Sequence, residues 1–460
     1  MPCISVVVPI YNCQEYLVGT LESLRAQTLQ DIEIICINDG SSDLSLEIAQ
    51  AYAKLDKRIK VFNQENKGVS SARNCGIRHA GAPYIAFLDS DDFYTAHACE
   101  CMYKAAQSQQ CDIVVFGGIP YPKLYSYPWI KRVLNVKSAK LTSCGFDDIR
   151  RYKGLTPFVW NKLFSRDFLL KNKFFFEEKL PFGEDLVFLL PALVSARGIV
   201  CISDKLISYR LVREGSLMHG RTSAIFERNC EHLEMLEYIL DSCSKLSLTQ
   251  KDKEDLIVWV ASFVLGDILT SPPQERSELA LKLQALFDKW VSPEQQEYLC
   301  RDSGYARAAS MVLDESSLVT GWKKRFVVAD FVLKQEGVGF FIRRTFEFLR
   351  NRLIKPIDRR ALEAATKQEG RLVSEKDFSF EKLDQDMRID AWDHFLTELQ
   401  ESGCVAQKEI DRLAQEMSFS ALPQVYTKEH KREQQRRMRE HSKQLKREDE
   451  RIAKELKDIS

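Results

Sequence analysis

No apolar run in this chain is long enough to span a bilayer. The longest, Leu256 to Leu265, stops well short of the roughly 20 residues a membrane-crossing helix needs. The first residues carry no basic segment followed by an apolar one, so a signal peptide is not expected. Net charge is missing too: Lys plus Arg and Asp plus Glu both number 66, so bulk charge offers nothing to nucleic acid. The 13 cysteines are odd in number and include no CxxC pair, and Cys99 and Cys101 are too close for an ordinary clip. Cys36 and Cys201 lie among apolar residues, as reduced buried thiols do. No internal repeat is visible. These absences lead us to expect a cytoplasmic chain, in solution or resting on the inner face of a membrane. The 460 residues suggest two or three domains.

What is present is an abrupt change of character at Tyr84-Ile85-Ala86-Phe87-Leu88-Asp89-Ser90-Asp91-Asp92. Apolar strand formers run directly into three carboxylates. Open α/β sheets bind ligands at the C-terminal ends of their strands, so this is where acids would serve chemistry. Carboxylates without thiols or a nearby imidazole suit a hard cation, Mg²⁺ or Mn²⁺, holding a nucleotide diphosphate. Read alone, the segment fits a solvated acidic turn equally well.

The first ~115 residues alternate strand and helix signals, which predicts a mostly parallel sheet with helices on both faces. Strands are expected at Ile4 to Ile10, Ile32 to Ile37, Ile59 to Phe62, from Tyr84, and at Ile113 to Phe116. Residues 117–183 are irregular, with many aromatics and prolines. Glu184 to Ala196 reads as a helix and Ile199 to Arg210 as two short strands. Helical spacing then dominates, over Ile225 to Ser242, Gln250 to Thr270 and Glu275 to Trp290. Right-handed crossovers place the loops after the early strands on one edge. These are Pro9-Ile10-Tyr11-Asn12, then Asn38-Asp39-Gly40-Ser41-Ser42-Asp43, then Asn66-Lys67-Gly68-Val69-Ser70-Ser71-Ala72-Arg73-Asn74, then the Asp89 turn. A carboxylate such as Asp39 accepts the imino N–H of uracil, which cytosine lacks. The Gly68 turn opens a helix N-terminus between two cations, which suits phosphates. Each loop taken singly is also an ordinary capped turn.

Together, VVVPIYN, INDGSSD, NKGVSSARNCGI and IAFLDSDD resemble family 2 glycosyltransferases with the GT-A fold, over roughly residues 3 to 220. That resemblance implies inverting, metal-assisted sugar transfer from a nucleoside diphosphate, usually UDP. It implies donor contacts from Pro9, Tyr11, Asp39, Lys67, Arg73, Asp89 and Ser90, with Asp91 the principal metal ligand beside Asp89. It also implies an acceptor-side segment at Phe158-Val159-Trp160-Asn161-Lys162-Leu163-Phe164, with Trp160 and Lys162 facing acceptor. Trp160 fits a core aromatic equally well. Tyr209-Arg210-Leu211-Val212-Arg213-Glu214-Gly215-Ser216 resembles a further family stretch, with Arg213 on the diphosphate and His219 a third metal ligand. A Glu-Asp pair at Glu184-Asp185 is implied to supply the base, Asp185, with Glu184 as its neighbour. Both acids start a helix, where acids are common anyway and where the helix dipole is expected to lower the pKa of Asp185. The Gln-x-x-Arg-Trp motif of processive polymerases is missing, so transfer of one sugar is expected.

Residues 1–222 are thus expected to form the catalytic domain, with 1–116 binding donor and 117–222 acceptor. Residues 223–360 would be a helical region and 361–460 a charged helical tail. Lys323 to Arg360 carries 11 Lys/Arg against 4 Asp/Glu. Within it, Gly337 to Lys355 could lie on an anionic membrane with Arg343, Arg344, Arg350, Arg352 and Lys355 at headgroups, bringing the enzyme to a lipid-linked glycan. Docking on the protein's own core explains the same pattern. The thread Met438, Leu445, Ile452, Ile459 is too thin for a coiled-coil seam. Two other classes fit the chain less well. A nucleotidyltransferase would want a Gly-rich basic loop after the first strand, where Pro9-Ile10-Tyr11-Asn12 stands. An inactive transferase fold serving as a scaffold would not need Asp39, Asp89, Asp91 and Asp185 together.

Overall fold

The computed structural model describes residues 1–121, 128–211, 225–301, 388 and 391–416. Arg213, His219, the 323–360 segment and the 428–460 tail lie outside the described residues. By its contacts the chain divides into Met1–Ala406 and Gln407–Ser460. Of the second unit, the helix Gln407–Glu416 is described.

The first unit opens with β1 (Ile4–Ile10), α1 (Gln14–Arg25), β2 (Ile32–Asp39), α2 (Ser45–Leu55), β3 (Ile59–Gln64), α3 (Val69–His79) and β4 (Tyr84–Phe87). β5 (Phe93–Tyr94), α4 (Ala98–Gln109) and β6 (Ile113–Tyr121) follow, then α5 (Pro128–Leu134), β7 (Ala139–Leu141) and α6 (Phe146–Arg151). β8 (Lys162–Ser165), α7 (Arg166–Lys171), α8 (Glu184–Ser195) and β9 (Ile199–Arg210) complete the sheet region. Four helices come next: α9 (Ile225–Ser244), α10 (Gln250–Thr270), α11 (Pro273–Trp290) and α12 (Pro293–Arg301).

One sheet runs in the order β3-β2-β1-β4-β8-β6-β9-β5, with β7 also on β9. β3, β2, β1 and β4 are parallel, in register Ile4↔Ile32 and Ile4↔Tyr84. Every residue of β1 and β2 is buried. Strands covered on both faces read as unbroken apolar runs rather than alternation, which is why they were visible in the sequence.

Two features depart from the expected pattern. β8 enters antiparallel between β4 and β6, pairing Ala86↔Leu163 and Val114↔Leu163. It is only four residues long and begins with a lysine, so no period marks it. The stretch expected as two short strands is one strand, β9, whose middle residues Ser203, Asp204 and Lys205 are exposed. Its partner β6 shifts register at Gly117 and Gly118. A Cβ on Gly118 would stand 2.9 Å from Ile207 Cγ2, so glycine permits the close approach there.

α8 is buried on nearly every side from Leu186 to Leu193, which fits its apolar sequence. It lies between the sheet and the later helices: one core runs from Val7 and Phe87 through Phe188 to Leu236, Val260 and Leu283. Residues 391–402 form a helix that returns to α1 and α2, where Phe395 stacks on Tyr52 at 4.3 Å and Glu398 pairs with Arg25 at 2.6 Å. Among the described residues, no helix is long and apolar enough to cross a membrane.

Candidate active site

The loops after β1 and β2 are tied together before any ligand arrives. Asn12 has a positive φ of 44° and its Oδ1 accepts from Ser42 N at 2.9 Å. Ser41 Oγ accepts from Asn12 N at 3.1 Å, and Asp43 Oδ2 from Gln14 N at 3.0 Å. Pro9 is buried at the end of β1, and the Tyr11 ring is 47% exposed beside it. Asp39 ends β2 with its carboxylate buried. Oδ1 accepts from Lys67 N at 2.9 Å and Gln64 Nε2 at 2.8 Å, while Oδ2 accepts from Gly68 N at 2.8 Å. Asp39 therefore braces the loop that precedes α3, and the Lys67 side chain stands exposed on that loop.

The acidic turn after β4 is held by atoms distant in sequence. Thr20 Oγ1, on α1, reaches both the Ser90 carbonyl at 2.9 Å and the Asp92 carbonyl at 2.8 Å. Arg210, at the end of β9, donates its N–H to Asp92 Oδ1 at 2.7 Å and its Nε to the Asp91 carbonyl at 3.0 Å. The Arg210 guanidinium lies 4.8 Å from the Tyr16 ring centre and 5.1 Å from that of Tyr121. Ser90 and Asp92 are buried, whereas Asp89 and Asp91 are half-buried. Burial, with Asp91 and Asp89 close by, raises the Asp92 pKa well above the usual carboxylate range. Asp92 thus belongs to the support of the turn.

Arg73 joins the two halves of the site. Its side chain is 4% exposed, and one guanidinium binds three acids. Nη2 donates to Asp89 Oδ1 at 3.0 Å; Nη1 donates to Asp185 Oδ1 at 2.8 Å and Glu184 Oε1 at 3.1 Å. The plane sits 5.2 Å from the Phe176 ring, which itself stacks on Phe188 of α8 at 4.1 Å. Burial alone would lower the Arg73 pKa; the surrounding carboxylates more than reverse that and raise it.

Asp185 sits in the first turn of α8, after Gly183 at φ +81°. Its Oδ2 accepts from Val159 N at 3.2 Å. The helix N-terminus was expected to lower its pKa. Burial instead pushes it up to about 7; Arg73 opposes this, while Glu184 and Asp89 add to it. Desolvation is the larger effect although the Asp185 side chain keeps 18% of its surface exposed, and the neighbouring acids add to it.

Trp160 and Lys162 are placed differently from an open acceptor surface. Trp160 is 2% exposed and packs between Phe158 at 4.5 Å and Tyr209 at 4.6 Å. The exposed end of that stack is Trp129, 6.0 Å from Phe158. Lys162 is fully buried, and its Nζ donates to the Phe158 carbonyl and to Asn161 Oδ1. Burial lowers its pKa to about 7, against the pull of Asp185. Neither side chain presents itself to a ligand.

The structure thus brings Asp39, Lys67, Arg73, Asp89, Ser90, Asp91, Glu184 and Asp185 to one sheet edge. Thr20, Gln64, Phe176 and Arg210 were missed as supports. Arg210 stood in the quoted 209–216 stretch, but Thr20 carried no signal, its partners lying 70 and 72 residues away.

The donor set at the turn fits a hard cation. Asp89 and Asp91 offer half-buried carboxylate oxygens there, and Mg²⁺-type ions take one or two carboxylates and complete their shell with phosphate oxygens. Glu22, His394 and Glu398 also converge, and Arg25 pairs with both of those carboxylates.

The sequence model of glycosyl transferase family 2 matches residues 5–169. The chain is 32% identical over 272 residues to the putative glycosyltransferase EpsH of Bacillus subtilis, covering 57% of this chain and 76% of EpsH. It is 27% identical over 278 residues to the minor teichoic acid biosynthesis protein GgaA of the same organism, covering 57% of each. The match to the uncharacterized glycosyltransferase EpsJ spans 61% of that protein. S. aureus TarS 1-349 in complex with UDP-GlcNAc superposes with a TM-score of 0.57 at 20% identity, over 73% of this chain and 92% of that one. The chain belongs to glycosyl transferase family 2, and its sheet and flanking helices form the GT-A fold.

Proposed function

We propose that this chain is an inverting, metal-dependent glycosyltransferase. It moves one sugar from a UDP-sugar, hexose or N-acetylhexosamine, to a glycan or lipid-linked glycan in surface-polysaccharide assembly. The observation that carries this reading is the Arg73 bridge, which couples the acidic turn at Asp89 to the acids at the start of α8. The UDP-GlcNAc complex of TarS and the teichoic acid role in the name of GgaA support the donor and the acceptor class.

In this reading Tyr11 and Asp39 flank the base, with Pro9 beside them at the end of β1. Lys67 and Arg213 meet the diphosphate, and Asp89 and Ser90 meet the ribose. Asp89 and Asp91 would hold Mn²⁺ or Mg²⁺, with His219 as a further ligand, and the ion neutralises the leaving diphosphate when bound. Asp185 takes the proton of the acceptor hydroxyl from the face opposite the leaving group. Its raised pKa makes it a stronger base than an exposed carboxylate. Arg73 favours its charged form and fixes its direction, and Glu184 shares the same guanidinium nitrogen. The absence of Gln-x-x-Arg-Trp supports release after one transfer, and the basic 323–360 segment supports peripheral placement at the inner membrane face.

The test is turnover and binding of UDP-, GDP- and dTDP-sugars with Mn²⁺, with Mg²⁺ and after chelation, followed by the anomeric configuration of the product. Metal-dependent selection of one UDP-sugar with inversion is expected. Metal-independent turnover, retention, or no donor binding by folded protein would overturn the reading.

A further inference from the structure

We propose that Lys162 is a positioning residue for Asp185, acting through the peptide unit between Phe158 and Val159; this rests on Asp185 being the base. One peptide group is gripped at both ends. Its carbonyl, on Phe158, accepts from Lys162 Nζ, and its N–H, on Val159, donates to Asp185 Oδ2 at 3.2 Å. A trans peptide points C=O and N–H in opposite directions, so amine, carbonyl, amide and carboxylate form one head-to-tail row. Hydrogen bonds in such a row polarise one another inside a protein.

The surroundings show that this row is built. Lys162 is 0% exposed, and its hydrogen-bond partners are neutral oxygens, Phe158 O and Asn161 Oδ1 at 2.7 Å. Asn161 is itself anchored by its amide, which donates to the Phe116 carbonyl at 3.2 Å and the Gly154 carbonyl at 3.4 Å. Burying an amine against neutral groups is costly and does little for stability. The acid that acts on it lies across the peptide: Asp185. The charged and titratable groups facing Asp185 are Arg73 from α3, Asp89 from the turn after β4, Glu184 from its own helix, Lys162 from β8 and Tyr209 from β9. Cys201 of β9 also faces Lys162.

Arg73 holds Oδ1 of Asp185 and the peptide holds Oδ2, so both oxygens have defined directions. Removing the amine frees the peptide to tilt and removes positive charge from behind it. The carboxylate then loses aim and becomes harder to ionise. A misplacement of about 1 Å at a reacting group costs on the order of a hundredfold in rate.

The test compares Lys162→Met, Lys162→Gln and Asp185→Asn in the whole 460-residue chain, with the UDP-sugar of highest metal-dependent turnover in the panel above. UDP binding, kcat, the pH profile and melting temperature are measured. Lys162→Met is expected to bind UDP as the wild type does and to lose roughly tenfold to a hundredfold in kcat. Its acid limb should move to higher pH. Lys162→Gln, which keeps a donor without charge, should recover part of kcat while the limb stays displaced. It carries the same comparison should Lys162→Met not fold. A wild-type acid limb in both Lys162 variants overturns the proposal, including when kcat falls together with stability. If Asp185→Asn is inactive while the limb is unmoved, only the role of Lys162 fails. If Asp185→Asn keeps wild-type turnover, the base assignment fails and the positioning role with it.

Discussion

Arg73 Nη1 lies 2.8 Å from Asp185 Oδ1 although 112 residues separate them. Through the same guanidinium, Asp89 at the end of the parallel strands is joined to the first turn of α8. On the function proposed above, the donor side and the acceptor side share this one buried cation.

Replacing Arg73 by Met should leave three acids facing one another in a poorly solvated space. Breaking a buried ion network from one side costs about 3–5 kcal/mol. We expect a lower melting temperature and loss of turnover, both milder in Arg73→Lys, which keeps the charge but not the fork. Thermal unfolding with and without UDP and Mn²⁺ checks this; unchanged stability would show that the three acids do not depend on Arg73.

Asp185→Asn should keep UDP binding and lose turnover by about 10²- to 10⁴-fold, the usual contribution of a general base. In the wild type the base form predominates above about pH 7, since burial raises the Asp185 pKa to about 7. Activity should therefore climb as pH rises through 7. An exposed carboxylate would place that limb near pH 4. The sign for stability is opposite: ionising a group whose folded pKa lies above its unfolded value weakens the fold, so Asp185 costs stability as pH rises through 7. A kcat/KM profile flat from pH 5 to 8 would remove Asp185 as the titrating base.

Asp39→Asn should loosen the loop at residues 66–68. The amide has one acceptor oxygen, whereas the carboxylate accepts from Gln64, Lys67 and Gly68. Leaving a backbone N–H unpaired costs about 1–3 kcal/mol. We expect weaker UDP binding with kcat at saturating donor nearly retained. Calorimetry with UDP measures it, and equal affinity would dissociate Asp39 from donor binding.

Gly183→Ala tests how α8 is aimed. The position has φ +81°, and a Cβ would stand 2.4 Å from Met235 Sδ. Strain at such a backbone position costs on the order of 1–3 kcal/mol. Turnover should fall more than donor binding, because Asp185 lies two residues on. Activity equal to the wild type would show that the α8 start tolerates movement.

The parallel half of the sheet was legible because β1 and β2 are buried on both faces and are rich in Ile and Val. The loops were legible because Asn, Asp, Gly and Ser mark turns after those runs. β8 and the bulged β9 were not. Lys162 at the head of a strand and Ser203 to Lys205 within one read locally as polar breaks, and only pairing with β6 makes them strand.

Sequence alone determined the α/β alternation, the family resemblance and which acids stand at strand ends, because period and turn chemistry are local properties. Tertiary structure decided what each group experiences. It buried Lys162 and Trp160, made Asp39 a brace, assigned Thr20 and Arg210 to the acidic turn, and raised the pKa of Asp185 that a helix N-terminus by itself would lower. Burial and charge neighbours depend on distant chain segments, 119 residues apart for Arg210 and Asp91, so no local pattern encodes them.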